Sequence, residues 1–137
     1  MSDNNEQSNR NENDPEEMKV IYLSRKAEFE AAAAAGNATA CRLLGNMYYH
    51  DWLGEPDYDR AEELYQRSAD GGDPVGKLCL ANLWLEGRGH GTQSEALTLV
   101  SECARESGRV VIRHENPDGT LHYALSATQR TIPVRKR

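Results

Sequence analysis

A single phenylalanine, two tryptophans and three cysteines are all that 137 residues offer of those types, and no long apolar run occurs anywhere in the chain. Without about 18 consecutive apolar residues there is no candidate transmembrane helix, and the polar opening residues Met1 to Asn13 hold no secretory apolar region. The expected location is cytoplasmic. Cys41, Cys79 and Cys103 are odd in number and show no C-x-x-C spacing, which argues against a disulfide framework and a zinc ribbon. They read as reduced residues on the apolar faces of helices.

Catalytic frames are missing too. No H-E-x-x-H, Walker or G-x-G-x-x-G element occurs, and Gly87 to Gly91 lacks the Lys-Ser/Thr that a phosphate loop needs. Net positive charge is absent: the chain carries −6 overall, divided as roughly −5 over residues 1 to 17, −5 over 18 to 108 and +4 over 109 to 137. An acidic body argues against general nucleic-acid binding, which relies on neutralising phosphates. It favours a basic partner, possible sources including the chain's own tail, where Arg130, Arg135, Lys136 and Arg137 cluster.

What the chain does contain is a match to itself at an offset of 36 residues: Phe29 with Tyr65, Ala33 with Ala69, Gly36 with Gly72, Asn46 with Asn82 and Tyr48 with Trp84. Fixed-period self-similarity is the signature of a repeat array, whose units contact only their neighbours and leave a long face open. The predicted fold is mainly α: a short α/α solenoid of about two and a half helix-pair repeats over residues 14 to 108, after a disordered lead-in over 1 to 13. A β-hairpin cap over 109 to 127 and a basic tail over 128 to 137 complete it.

Local signals place the elements. Asp14-Pro15-Glu16-Glu17 opens a helix expected to run to Ala35 and stop at Gly36. Asn37 caps a second helix that carries Leu43, Leu44, Met47 and Tyr48 and ends near His50. Asp57 caps a third, with Ala61, Leu64, Tyr65 and Ala69, and Asp73-Pro74 opens a fourth, with Leu78, Leu80, Leu83 and Trp84. The box Thr92-x-x-Glu95 starts the last, with Ala96, Leu99, Val100, Cys103 and Ala104 facing inward. After Gly108 the period falls to two around Asn116-Pro117-Asp118-Gly119, a turn signal. Setting Glu115 opposite Thr120 pairs Val110 with Leu125 and Ile112 with Tyr123 on one face, which should cover the last helix pair. The same register sends His114 and His122 to opposite faces, so no metal site is expected there.

Leu44-Gly45-Asn46-Met47-Tyr48, the loop Gly54 to Asp57, Ala61-Glu62-Glu63-Leu64-Tyr65, Ala69 and Gly72 together resemble one tetratricopeptide-type unit of the Sel-one-like repeat family. Leu80 to Leu85, Glu86-Gly87-Arg88-Gly89, Ala96 and Ala104 resemble a second, with Ala81 and Val100 departing from the pattern. The resemblance implies protein binding without chemistry, as in adaptors of signalling, secretion and quality-control complexes. It also implies that the first helix of each pair lines a concave face. Arg42, Asn46 and Tyr49 would sit there on one helix, and Leu78, Asn82 and Leu85 at matching places on the next.

A carboxamide offers donor and acceptor together, so Asn46 and Asn82 in register could hold the backbone of an extended peptide. The other reading makes them polar groups bonded to neighbouring helices. Trp52, outside the repeat match, is either a contact residue or a lid on the local core.

The leading expectation is a small, cytoplasmic, bacterial adaptor or regulatory protein with no cofactor, no nucleic-acid partner and no membrane contact. One alternative is an immunity or inhibitor protein against a basic toxin or effector. Another is a small hydrolase or metal protein using His50 and Asp51 or His114 and His122. A monomer is expected, with pairing through a hairpin edge as the structural alternative.

Overall fold

A computed structural model describes residues 15 to 129. Six helices and two strands are described: α1 Pro15–Ser24, α2 Lys26–Ala34, α3 Ala38–Tyr49, α4 Tyr58–Asp70, α5 Pro74–Leu85, α6 Gln93–Ser107, β1 Arg109–Glu115 and β2 Leu121–Gln129. The Asp14 cap, the lead-in over 1 to 13 and tail residues 130 to 137 lie outside the described residues. From α2 onward each helix packs on the next, α3 on α4 and α5 on α6 most extensively, an arrangement consistent with a short helical repeat. No helix is long and apolar enough to cross a membrane among the described residues.

The helix boundaries follow from local chemistry. Asn37, Asp57 and Asp73 each accept a backbone N–H of the first turn, from Ala40, Arg60 and Val75. Thr92 and Glu95 close a reciprocal capping box on α6, at 3.1 and 2.8 Å. Gly108 ends α6 with φ of 68°, a conformation that costs glycine little.

The helix expected from Asp14 to Ala35 is instead two helices that break at Arg25. Ser24 Oγ donates to the Ile21 carbonyl at 2.8 Å, the acceptor that a continuing helix would give to the Arg25 amide. The Arg25 N–H turns to the Tyr22 carbonyl instead. Serine here competes with the helical ladder and wins.

Helix packing explains the small residues of the repeat. A Cβ on Gly45 would lie 2.8 Å from Tyr65 Cε1, so glycine lets the ring of α4 lie directly on α3. Gly76 admits Ser68 in the same way, since its Cβ would come within 2.2 Å of Ser68 Oγ. Around these contacts Met47, Leu64, Leu80 and Leu83 are fully buried, each side chain contributing about 1.5–3 kcal/mol by leaving water. Cys41 and Cys103 are buried and Cys79 half-buried, all three without a disulfide. Burial pushes the Cys79 thiol up to about 12.

The hairpin forms around a turn in which the Gly119 N–H bonds to Asn116 O and the Asn116 N–H to Thr120 O, with Gly119 at φ of 90°. Its register differs by one residue from the expected one. Glu115 faces Leu121, His114 faces His122, Arg113 faces Tyr123, Ile112 faces Ala124 and Val111 faces Leu125. A three-residue loop, Pro117 to Gly119, closes the turn and sets this pairing. A one-residue slip turns a strand over. Val111, Tyr123 and Leu125 therefore pack on Leu78, Ala81, Ala96, Val100 and Cys103, while Val110 and Ile112 stand 41% and 42% exposed. His114 and His122, expected on opposite faces, share one, with ring centroids 6.2 Å apart. β2 also runs to Gln129, two residues past the expected limit.

Candidate functional site

Of the residues expected to line a binding face, Asn46, Tyr49 and Asn82 border one cavity between α3, α5 and the hairpin, and Arg42, Trp52, Leu78 and Leu85 do not. Asn82, half-buried in the last turn of α5, makes a two-bond clasp. Its Nδ2 donates to Tyr123 O at 2.8 Å, and the Tyr123 N–H donates to its Oδ1 at 2.8 Å. One carboxamide thus holds one residue of an extended strand by both backbone groups, the geometry expected for a peptide on this face. The strand held is the chain's own β2. Leu78, 5% exposed, is covered by the same hairpin, and Leu85 packs at the edge of that cluster.

Thirty-six residues earlier, Asn46 makes a different set of bonds. Its Oδ1 accepts from Tyr65 Oη at 2.6 Å, and its Nδ2 donates to Tyr22 Oη at 3.3 Å. Burial raises the Tyr65 phenol well above its ordinary value, so it stays a donor. Arg42 reaches Asp73, the cap of α5, at 2.8 Å, and ties α3 to α5. Burial opposes ionisation of Asp73, yet the Arg42 hydrogen bond and charge, with the Val75 N–H and Ser68 hydroxyl, hold its carboxyl below the ordinary value. Trp52 meets Tyr22 edge-on at 5.0 Å and stacks on His50 at 4.6 Å, lying against the first core cluster.

Between these anchors lies a cavity of about 200 Å³ bordered by Asn46, Tyr49, Tyr65, Cys79, Asn82, Glu86 and His122, with His50 at its rim. It adjoins an open cleft of about 440 Å³ lined by Tyr49, Glu86, Arg88, Asn116, Asp118 and Thr120. Tyr49 and Glu86 belong to both, joined by a 2.5 Å bond from Tyr49 Oη to Glu86 Oε2. Burial, then that bond, raises the Tyr49 phenol, which is neutral across the physiological range. Arg88 Nε lies 3.3 Å from Glu86 Oε1 with its guanidinium over the Tyr58 ring at 4.1 Å. The cleft therefore presents hydroxyl, carboxamide, carboxylate and guanidinium groups beside the Tyr49 ring.

Sequence reasoning passed over Glu86 and Glu62. Glu62 Oε2 accepts from Trp84 Nε1 at 2.8 Å and from the His90 N–H at 2.7 Å, and Oε1 lies 2.6 Å from His90 Nδ1. It fastens the loop Gly87 to Gly91 onto α4. Its position in the Ala61 to Tyr65 run was visible, but nothing in the residues said that a loop 25 positions on would need an anchor.

His50 stacks on Trp52 and meets Tyr49 edge-on, and burial lowers its imidazole. Asp51 sits in the following short 3-10 turn. Among the described residues no three His, Cys, Asp or Glu side chains come together as metal ligands. Set against known proteins, the chain finds no match: no protein-family model fits it, and no curated protein does. The likeness to the Sel-one-like pattern rests on the residues quoted above.

Proposed function

We propose that this chain is a non-catalytic adaptor or regulatory module of the Sel-one-like, tetratricopeptide type, and that its partner docks in the cleft between α3, α5 and the hairpin turn. The observation that carries this reading is the joined cavity and cleft, walled by helices at equivalent positions of two repeats and sharing Tyr49 and Glu86. Glu86 and Asp118 add negative charge there, and the helical body is acidic. A peptide segment with a basic side chain beside an apolar one fits that lining. Free thiols in odd number support a reducing, cytoplasmic setting.

Affinity capture from the native host tests this with the full chain, a Glu86→Gln plus Asp118→Asn variant that removes the cleft's negative charge, and an Arg105→Glu control on the exposed part of α6. A protein held by wild type and control but lost from the cleft variant, with circular dichroism unchanged, is the expected result. Equal capture by all three chains places binding elsewhere, and no specific capture removes the adaptor reading.

A further inference from the structure

Residues of an antiparallel strand point both backbone groups alternately toward the paired strand and away from it. Asn82 binds both the N–H and the carbonyl of Tyr123, so Tyr123 points away from β1 and Asn82 occupies the outer edge of β2. The turn bond from Asn116 to Thr120 gives the same phase. Since Tyr123 faces Arg113, Leu125 faces Val111 and Leu121 faces Glu115, the outward groups of β1 belong to Val111, Arg113 and Glu115. These meet no hydrogen-bond partner among the described residues, and residues 112 to 115 are all exposed. Asn82 takes both outward backbone groups of one residue on the β2 edge, and the β1 edge is open among the described residues.

Strand edges in monomeric proteins are blunted by proline, by inward-pointing charge or by a bulge. β1 has no proline, its charges on the Val111 side, Arg113 and Glu115, stand exposed, and the irregularity between Arg109 and Val111 places its extra residues on β2, leaving β1 regular. Its two exposed apolar side chains, Val110 and Ile112, alternate on the face turned away from the helices. An open edge and an exposed apolar pair on one strand need the same cover.

We propose that this edge pairs two copies of the chain, β1 against β1 in antiparallel sense about a two-fold axis at Ile112. The residues select this register. Centring on Arg113 would set two arginines directly opposite, which is unfavourable. Centring on Ile112 sets Ile112 against Ile112 of the second copy, Val110 against its His114, and Arg109, whose guanidinium also donates to the Ser126 carbonyl of its own β2, against its Glu115. Val111 and Arg113 then exchange about four backbone hydrogen bonds with their counterparts. The contact is self-complementary, as a two-fold interface must be, and continues the hairpin into a four-stranded sheet.

The test is sedimentation or light scattering of the full chain from about 1 to 100 µM, beside Ile112→Glu and Ile112→Cys. Ile112 is exposed, so neither change disturbs the core. The expected result is a concentration-dependent dimer that is lost in Ile112→Glu. In mild oxidant Ile112→Cys should form a covalent dimer and Arg113→Cys should not, because facing residues that do not exchange backbone bonds lie about 4.5 Å apart at Cα, within disulfide reach. A wild-type monomer throughout overturns the proposal. So does a dimer that survives Ile112→Glu, or crosslinking favoured at position 113.

Discussion

Replacing Asn82 by alanine removes both bonds that hold the edge of β2 to α5, each 2.8 Å long and half-buried. A neutral hydrogen bond contributes roughly 0.5–1.5 kcal/mol net, so the pair should cost about 1–3 kcal/mol. For a domain of this size that corresponds to a fall in Tm of about 4–12 °C. The loss should be concentrated in the hairpin, with the Tyr123 amide losing protection from hydrogen exchange ahead of the amides of α3 and α4. Asn82→Asp sharpens the test. At neutral pH the carboxylate still accepts from the Tyr123 N–H but faces the Tyr123 carbonyl with no donor. Protonation below about pH 4 restores a donor, so its deficit relative to wild type should shrink in acid. Urea unfolding and amide exchange read both effects. A change within about 0.5 kcal/mol, with Tyr123 exchange unaltered, would refute the clasp as a holder of the hairpin.

Three other perturbations have signs fixed by the structure. Asp73 is held below its ordinary value, so its pairing with Arg42 stabilises the fold above about pH 4 and is lost as pH falls through the lowered value. Asp73→Asn should cost about 1–3 kcal/mol at pH 7, and urea unfolding at pH 3 should show a smaller gap. Gly76→Ala should destabilise by about 1–3 kcal/mol through overpacking, because the added carbon meets Ser68 2.2 Å from Oγ; Ser68→Ala in the same chain should recover part of the loss in thermal melts. Glu62→Ala should free the Trp84 indole and the loop at Gly87 to Gly91, seen as a red shift of tryptophan emission in a Trp52→Phe background, and an unshifted spectrum would count against the anchor.

Most of the helical fold was legible because it is written locally. Asn37, Asp57, Asp73 and Thr92 each announce a helix start through a side chain that reaches only two or three residues, and each makes the bond its position implies. The hairpin was legible as an element for the same reason. Its register was not, because a turn signal of four residues is compatible with loops that differ by one residue, and that difference turns β1 over. The break at Arg25 depends on whether one serine hydroxyl takes one carbonyl, a competition that helix propensity does not resolve.

Of the proposed binding face, the 36-residue offset located Asn46 and Asn82 at equivalent places, but their partners come from distant segments. Tyr22 and Tyr65 bond one carboxamide and Tyr123 the other, at separations of 24, 19 and 41 residues. No periodicity within the repeats foretold that a strand following them would occupy the second carboxamide. Tyr49 and Glu86, 37 residues apart, meet because the C-terminal ends of α3 and α5 lie beside one another.

Site-specific photocrosslinking in the native host tests the proposed role most directly, with a benzophenone side chain placed at Arg88 in the cleft and, separately, at Leu97 on the outer side of α6. A partner protein captured from position 88 and not from position 97 is the predicted result. Capture from position 97 with none from position 88, or from neither, would contradict a binding function seated in the cleft.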